Sequence, residues 1–116
     1  MKNLTFKEFE VICRERYEKS RKTLIEKGKE YATPDNAMDS FHEQAQLSMH
    51  EEPTSVAWEL MVKHLYSVRR MISEYENEGT IPTSYMINEK IGDALNYLIL
   101  IEALFEEIRY NHKEEL

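Results

Sequence analysis

The chain reads as an all-α protein, a four-helix bundle whose last two helices are long and antiparallel. Three observations predict this. Apolar residues recur at helical spacing through most of the length, no stretch alternates as a strand does, and the breaks between periodic stretches are short. At 116 residues the chain is one domain, 1–116, large enough for a real but modest core.

Helix one opens at Thr5, where Glu8 three residues on completes a capping box. Gly28 suits the left-handed position after a helix and predicts its end. The apolar stripe is Phe6, Phe9, Cys13, Tyr17, Ser20 and Leu24, which makes Cys13 a small core residue rather than a nucleophile. Pro34 and the Asp35-Asn36 pair mark a turn. A short helix follows, about Ala37 to Ser48, with Phe41 and Ala45 inward. Helix three has Pro53 at its first position, with Glu51 and Glu52 outside it, and ends near Glu78 before Gly79. Its core face is Ala57, Leu60, Met61, His64, Leu65, Val68, Met71, Ile72 and Tyr75. Trp58 stands beside that face, either closing the core against the short helix or anchoring an interface. The Gly79–Thr83 connection is short enough to force an antiparallel hairpin, and Ser84 is the expected cap of helix four.

Helix four carries the most informative pattern. Ile87, Ile91, Ala94, Leu98, Ile101, Phe105 and Ile108 recur at steps of four and three, one stripe expected to be buried. A second line, about 140° round the helix, holds Glu89, Asp93 and Asn96, then Leu100, Ala103 and Leu104. Its C-terminal half is apolar and so faces protein, which turns the carboxylates of its N-terminal half towards a cleft or an interface. Helix three carries a polar strip of Lys63, Ser67, Arg70 and Glu74, and antiparallel pairing sets Arg70 level with Asp93 and Ser67 level with Asn96. One reading is an interhelical ion pair of Arg70 with Asp93, whose attraction desolvation largely offsets. The other is a ligand site. Glu89 and Asp93, one turn apart, could hold Mg²⁺ with substrate phosphates completing its shell. Lys63 and Arg70 could then neutralise phosphate charge. Leu95 and Ile99 lie outside both lines, so three partner helices barely cover helix four, which predicts a homo-oligomer with this helix near the dyad.

Composition narrows the partners. The 22 acidic against 15 basic residues, a formal charge of −7, argue against a nucleic-acid backbone. A single cysteine, Cys13, allows no intramolecular disulfide and favours a reducing, cytoplasmic location. No run approaches the ~20 apolar residues a membrane span needs. His42, His50 and His112 lack ligand spacing, and His64 reads as a hydrogen-bonded core histidine.

The segment Glu89-Lys90-Ile91-Gly92-Asp93-Ala94-Leu95-Asn96-Tyr97-Leu98 resembles the second metal-binding helix of MazG-like all-α nucleoside triphosphate pyrophosphohydrolases. The whole chain is more similar to small phage and prophage domains associated with nucleotide modification. The residues that carry this are Lys27, Glu30, Tyr31 and Phe41, then Lys63, then Asp93, Asn96 and Tyr97. The resemblance implies a MazG-like bundle that forms dimers or higher oligomers. It also implies a nucleotide held by Lys29, Tyr31, Lys63, Arg70, Asn96 and Tyr97, with Mg²⁺ on Glu89 and Asp93. Tyr31 would stack on a base, or else pin its own turn. Lys90 stands where those enzymes have a ligand glutamate, and the first half of helix three holds only Glu59 of an expected acidic cluster. The expected function is therefore a phage-type nucleotide-binding protein of degenerate pyrophosphohydrolase type. Two alternatives stand beside it: a small acidic anti-defence protein that binds a host protein or sequesters a signalling nucleotide, and an active Mg²⁺-dependent pyrophosphohydrolase.

Overall fold

The computed structural model describes residues 2–49 and 52–112, the side chain of Tyr31 excepted, so the expectations for Tyr31, His50, Glu51 and the extreme C-terminus lie outside the described residues. The described residues form α1 (Phe6–Tyr31), α2 (Asp39–Leu47), α3 (Pro53–Glu78) and α4 (Ser84–His112), and no strand. The all-α reading holds.

Local chemistry sets most of the boundaries. At the start of α1 the Thr5 hydroxyl accepts the Glu8 amide at 3.1 Å, and the Glu8 carboxylate accepts the Thr5 amide at 2.9 Å. Lys2, and then Thr5, hold the Glu8 carboxyl below its ordinary value. The helix does not stop at Gly28. It runs through it to Tyr31 and ends where Ala32 turns extended, before the Thr33–Asn36 bridge closes the turn. The glycine that does terminate a helix is Gly79, at φ 70°. Its amide and that of Thr80 satisfy the Tyr75 and Glu74 carbonyls at 3.0 and 3.2 Å, the paired bonds of a left-handed C-cap. Helix α4 is capped one residue earlier than expected, by the Thr83 hydroxyl on the Met86 amide.

Helices α3 and α4 form an antiparallel hairpin, with α2 packed on α3 and α1 packed on α4. Arg16 lies over Asn88, while Thr23, Leu24 and Lys27 share a cleft with Asn96 and Leu100, so α1 runs parallel to α4. The core is small: Phe41 and Ala45 of α2, Val56 and Ala57 of α3 and Leu104 of α4, with Leu60, Tyr97, Leu100 and Ile101 packed against them.

Much of the expected burial does not occur within one chain. On α1, Phe6 and Phe9 are exposed because α4 begins only at Ser84 and the first turns of α1 project past it, and Tyr17, next to Arg16, is exposed as well. Ile87, Ile91, Leu98 and Phe105 of the α4 stripe are exposed, and so are Leu65, Ile72 and Tyr75 of α3. Trp58, 54% exposed, does not close the core. The common cause is layering: α1 and α2 cover one face of the hairpin and leave the other bare.

Candidate functional site

All four helices contribute to a cleft of about 450 Å³, within the range of small-molecule sites. Its apolar floor is Leu24, Phe41, Leu60 and Leu100, which the stripes of α1 to α4 bring together. The polar wall is Asp93, Asn96 and Tyr97 of α4, facing His64 of α3. Thr23 and Lys27 of α1, with Ser40 and Gln44 of α2, complete the rim.

The wall is ordered by two contacts. The His64 ring stacks on Tyr97 with centroids 5.1 Å apart and planes 23° from parallel. His64 Nδ1 lies 3.6 Å from Asp93 Oδ2, an electrostatic contact too long for a direct hydrogen bond. Between these two positions on α4 sits Asn96, 9% exposed, whose side-chain oxygen Oδ1 is buried without a hydrogen-bond partner. An unsatisfied buried acceptor costs about 1–3 kcal/mol. A ligand N–H or O–H donated to it would recover that cost on binding.

At Gly92 a side chain of α1 packs directly on α4. The Arg16 guanidinium passes directly over it, so a Cβ there would lie 2.6 Å from Arg16 Nη1. From this position Arg16 Nη2 donates to the Asn88 carbonyl at 3.3 Å and to the Asn88 side-chain oxygen. Glycine at this one position leaves room for the Arg16 guanidinium to lie against α4.

The residues expected at a site divide cleanly. Asp93, Asn96 and Tyr97 line the cleft. Glu89, Lys29, Lys63 and Arg70 do not: all four are exposed and outside its lining. Arg70 forms an ion pair with Glu74 on its own helix at 2.9 Å, not with Asp93, because it lies about 100° round α3 from Met71, on the side away from α4. Ser67 turns back on the Lys63 carbonyl at 3.1 Å instead of meeting Asn96. Glu89 accepts a hydrogen bond from Tyr85, which holds that phenol above its ordinary value. Glu89 and Asp93 therefore do not jointly face the cleft. Among the described residues no three His, Cys, Asp or Glu side chains gather where a metal ion would sit.

Sequence reasoning treated His64 as core and gave no role to Thr23, Ser40 or Gln44. The signal for His64 was available: counted outward from the Gly79–Thr83 loop, it is level with Tyr97, and it shares a helix face with Leu60 and Met71. A smaller cavity of about 180 Å³ lies at the other end of the hairpin, beside the His42–Glu107 pair and the start of α3. Compared with known proteins, the chain matches no family model, no curated protein and no solved structure.

Proposed function

We propose that this cleft binds a nucleotide or a nucleotide-derived small molecule. The observation that carries the reading is Asn96, a buried residue with an unpartnered side-chain oxygen, in the wall of a ligand-sized cleft. The chemistry around it suits a planar, hydrogen-bonding ligand that carries an anionic group. Phe41, Leu60 and Leu100 offer apolar area for a ring, Asn96 and Asp93 accept hydrogen bonds from base amino groups, and Lys27 at the rim can take a phosphate. Of the residues that carry the resemblance to nucleotide-modification-associated and MazG-like domains, Lys27, Phe41, Asp93, Asn96 and Tyr97 line this cleft, while Glu30 and Lys63 lie outside it. In this reading Mg²⁺ arrives with the phosphates of the ligand and meets Asp93 as its one carboxylate.

Titration calorimetry with each ribo- and deoxyribonucleoside triphosphate, with and without Mg²⁺, tests the proposal. At least one is expected to bind, and Asn96→Leu, with helicity unchanged, is expected to abolish the signal. No heat from any nucleotide would overturn the reading. Pyrophosphate release in the same samples, lost in Asp93→Asn, would make the protein an enzyme rather than a binding protein.

A further inference from the structure

We infer that Ser20 is a further ligand-binding residue of the cleft, carried on a wall, α1, that moves against α4. The ligand half of this inference rests on the reading of the cleft as a nucleotide site. Ser20 is 2% exposed, and its hydroxyl is buried without a hydrogen-bond partner. The other buried side-chain atom in that state among the described residues is Asn96 Oδ1. Both belong to one seam. The two helices run parallel, Arg16 lies over Asn88 and Gly92, and Thr23 and Leu24 share the cleft with Asn96 and Leu100. Ser20 is one turn beyond Arg16 and one turn short of Thr23 and Leu24, so it stands beside the stretch 92–96 of α4. A helical serine often satisfies its hydroxyl on the carbonyl four residues back, as Ser48 and Ser67 do here. Ser20 neither does that nor bonds Asn96. A hydroxyl and an amide oxygen that face one seam unbonded are placed to take a third group between them. An edge with an acceptor next to an N–H suits both: the hydroxyl donates to the acceptor, and the N–H donates to Oδ1. The pairing edge of every nucleobase has that arrangement.

Both atoms are sealed from solvent as α1 stands, so a ligand reaches them only if α1 gives way. Its packing is of the kind that does. None of the described α1 side chains belongs to the buried core, which α2, α3 and α4 build. The helix packs chiefly on α4, and Arg16, Ser20 and Thr23 meet Asn88, Gly92 and Asn96 there with little apolar area between them. A helix that contributes no core residue and covers two unsatisfied groups lies at the low-stability end of a fold. Its C-terminal end is tethered by the turn at 32–38 and its N-terminal end projects past α4, which puts the pivot at the turn. Thr23, Leu24, Lys27 and Gly28 travel with Ser20, so the same motion opens and closes the cleft. Closing over a ligand that bonds both Ser20 and Asn96 removes the penalty of covering them.

Amide hydrogen exchange of the full chain, alone and with each nucleoside triphosphate and Mg²⁺ in turn, tests the movable wall. Without nucleotide, amides at 16–27 are expected to be at least about tenfold less protected than those in the middle of α3 and α4, and a nucleotide that binds should slow them about tenfold. Ser20→Ala tests the contact. It should weaken nucleotide binding roughly fivefold, the worth of one hydrogen bond. The midpoint of thermal unfolding without nucleotide should stay the same or rise, because the hydroxyl has no partner to lose. Full protection at 16–27 in the ligand-free chain, no slowing by a nucleotide that binds, unchanged affinity in Ser20→Ala, or a lowered ligand-free midpoint would each overturn the inference. Where the wild-type chain still binds, those results leave the nucleotide reading of the cleft standing. If no nucleotide binds the wild-type chain, that reading fails and the Ser20 contact falls with it.

Discussion

On one face of the α3–α4 hairpin, Val56, Ala57 and Leu104 are closed over by Phe41 and Ala45 of α2; on the other, Leu65, Ile72, Leu98 and Phe105 stand in the open. Both faces follow the same helical periodicity, and both would be written down as core from their spacing. What separates them is the layer above. The chain has one short helix and half of a long one to spend on covering a two-helix sheet of apolar surface, and that suffices for one side. The covered side is also imperfectly filled, and the gap is where Asn96, Asp93 and His64 meet. An incomplete second layer thus gives this protein two kinds of surface: a polar-walled cleft beneath it and an apolar face behind it.

Paired substitutions test this contrast most strongly. Leu104→Ala, at a position 2% exposed, should cost about 3 kcal/mol in urea unfolding, as buried leucine truncations do. Leu65→Ala, at 38% exposure, should cost less than about 0.5 kcal/mol. Equal costs for the two would erase the distinction between the faces.

Asn96→Leu should act with the opposite sign. Removing the unpartnered buried oxygen is expected to raise stability by about 1 kcal/mol while ligand binding is lost. Loss of stability instead would mean that the amide serves the fold. Gly92→Ala sharpens the α1 side of the comparison. Alone it should be nearly neutral, since the helix-propensity gain of about 1 kcal/mol is offset by displacing Arg16 from Asn88. In an Arg16→Ala background the gain should appear undiminished, a coupling of about 1 kcal/mol in a double-mutant cycle.

The smallest effect lies on the projecting start of α1, outside both faces. Lys2 and Thr5 lower the folded Glu8 carboxyl below its ordinary value, so its contribution is complete above the usual glutamate range. That contribution is lost as pH falls through the lowered folded value. Titration of the Glu8 side chain by NMR should show this, with fraying of the first turn of α1 at low pH and no change at the cleft.

The chain's own residues fixed the elements that local chemistry controls. The Thr5–Glu8 box, Pro53 at the start of α3 and Gly79 at its end could be read directly, because each satisfies or frees particular backbone groups whatever surrounds them. The inward turn of Asp93 and Asn96 was legible too, since an apolar continuation of their line demanded protein on that side. Rotation and coverage were not legible. Arg70 and His64 both lie on α3 within reach of α4 by height, and only the packed angle of the helix decides that His64 meets Asp93 while Arg70 meets Glu74. Lys27 rather than Lys29 reaches the cleft for the same reason. Periodicity reports which side chains would gain by leaving water, but which of them do so is a competition among faces for the few residues available to cover them, and that is settled only when the layers assemble.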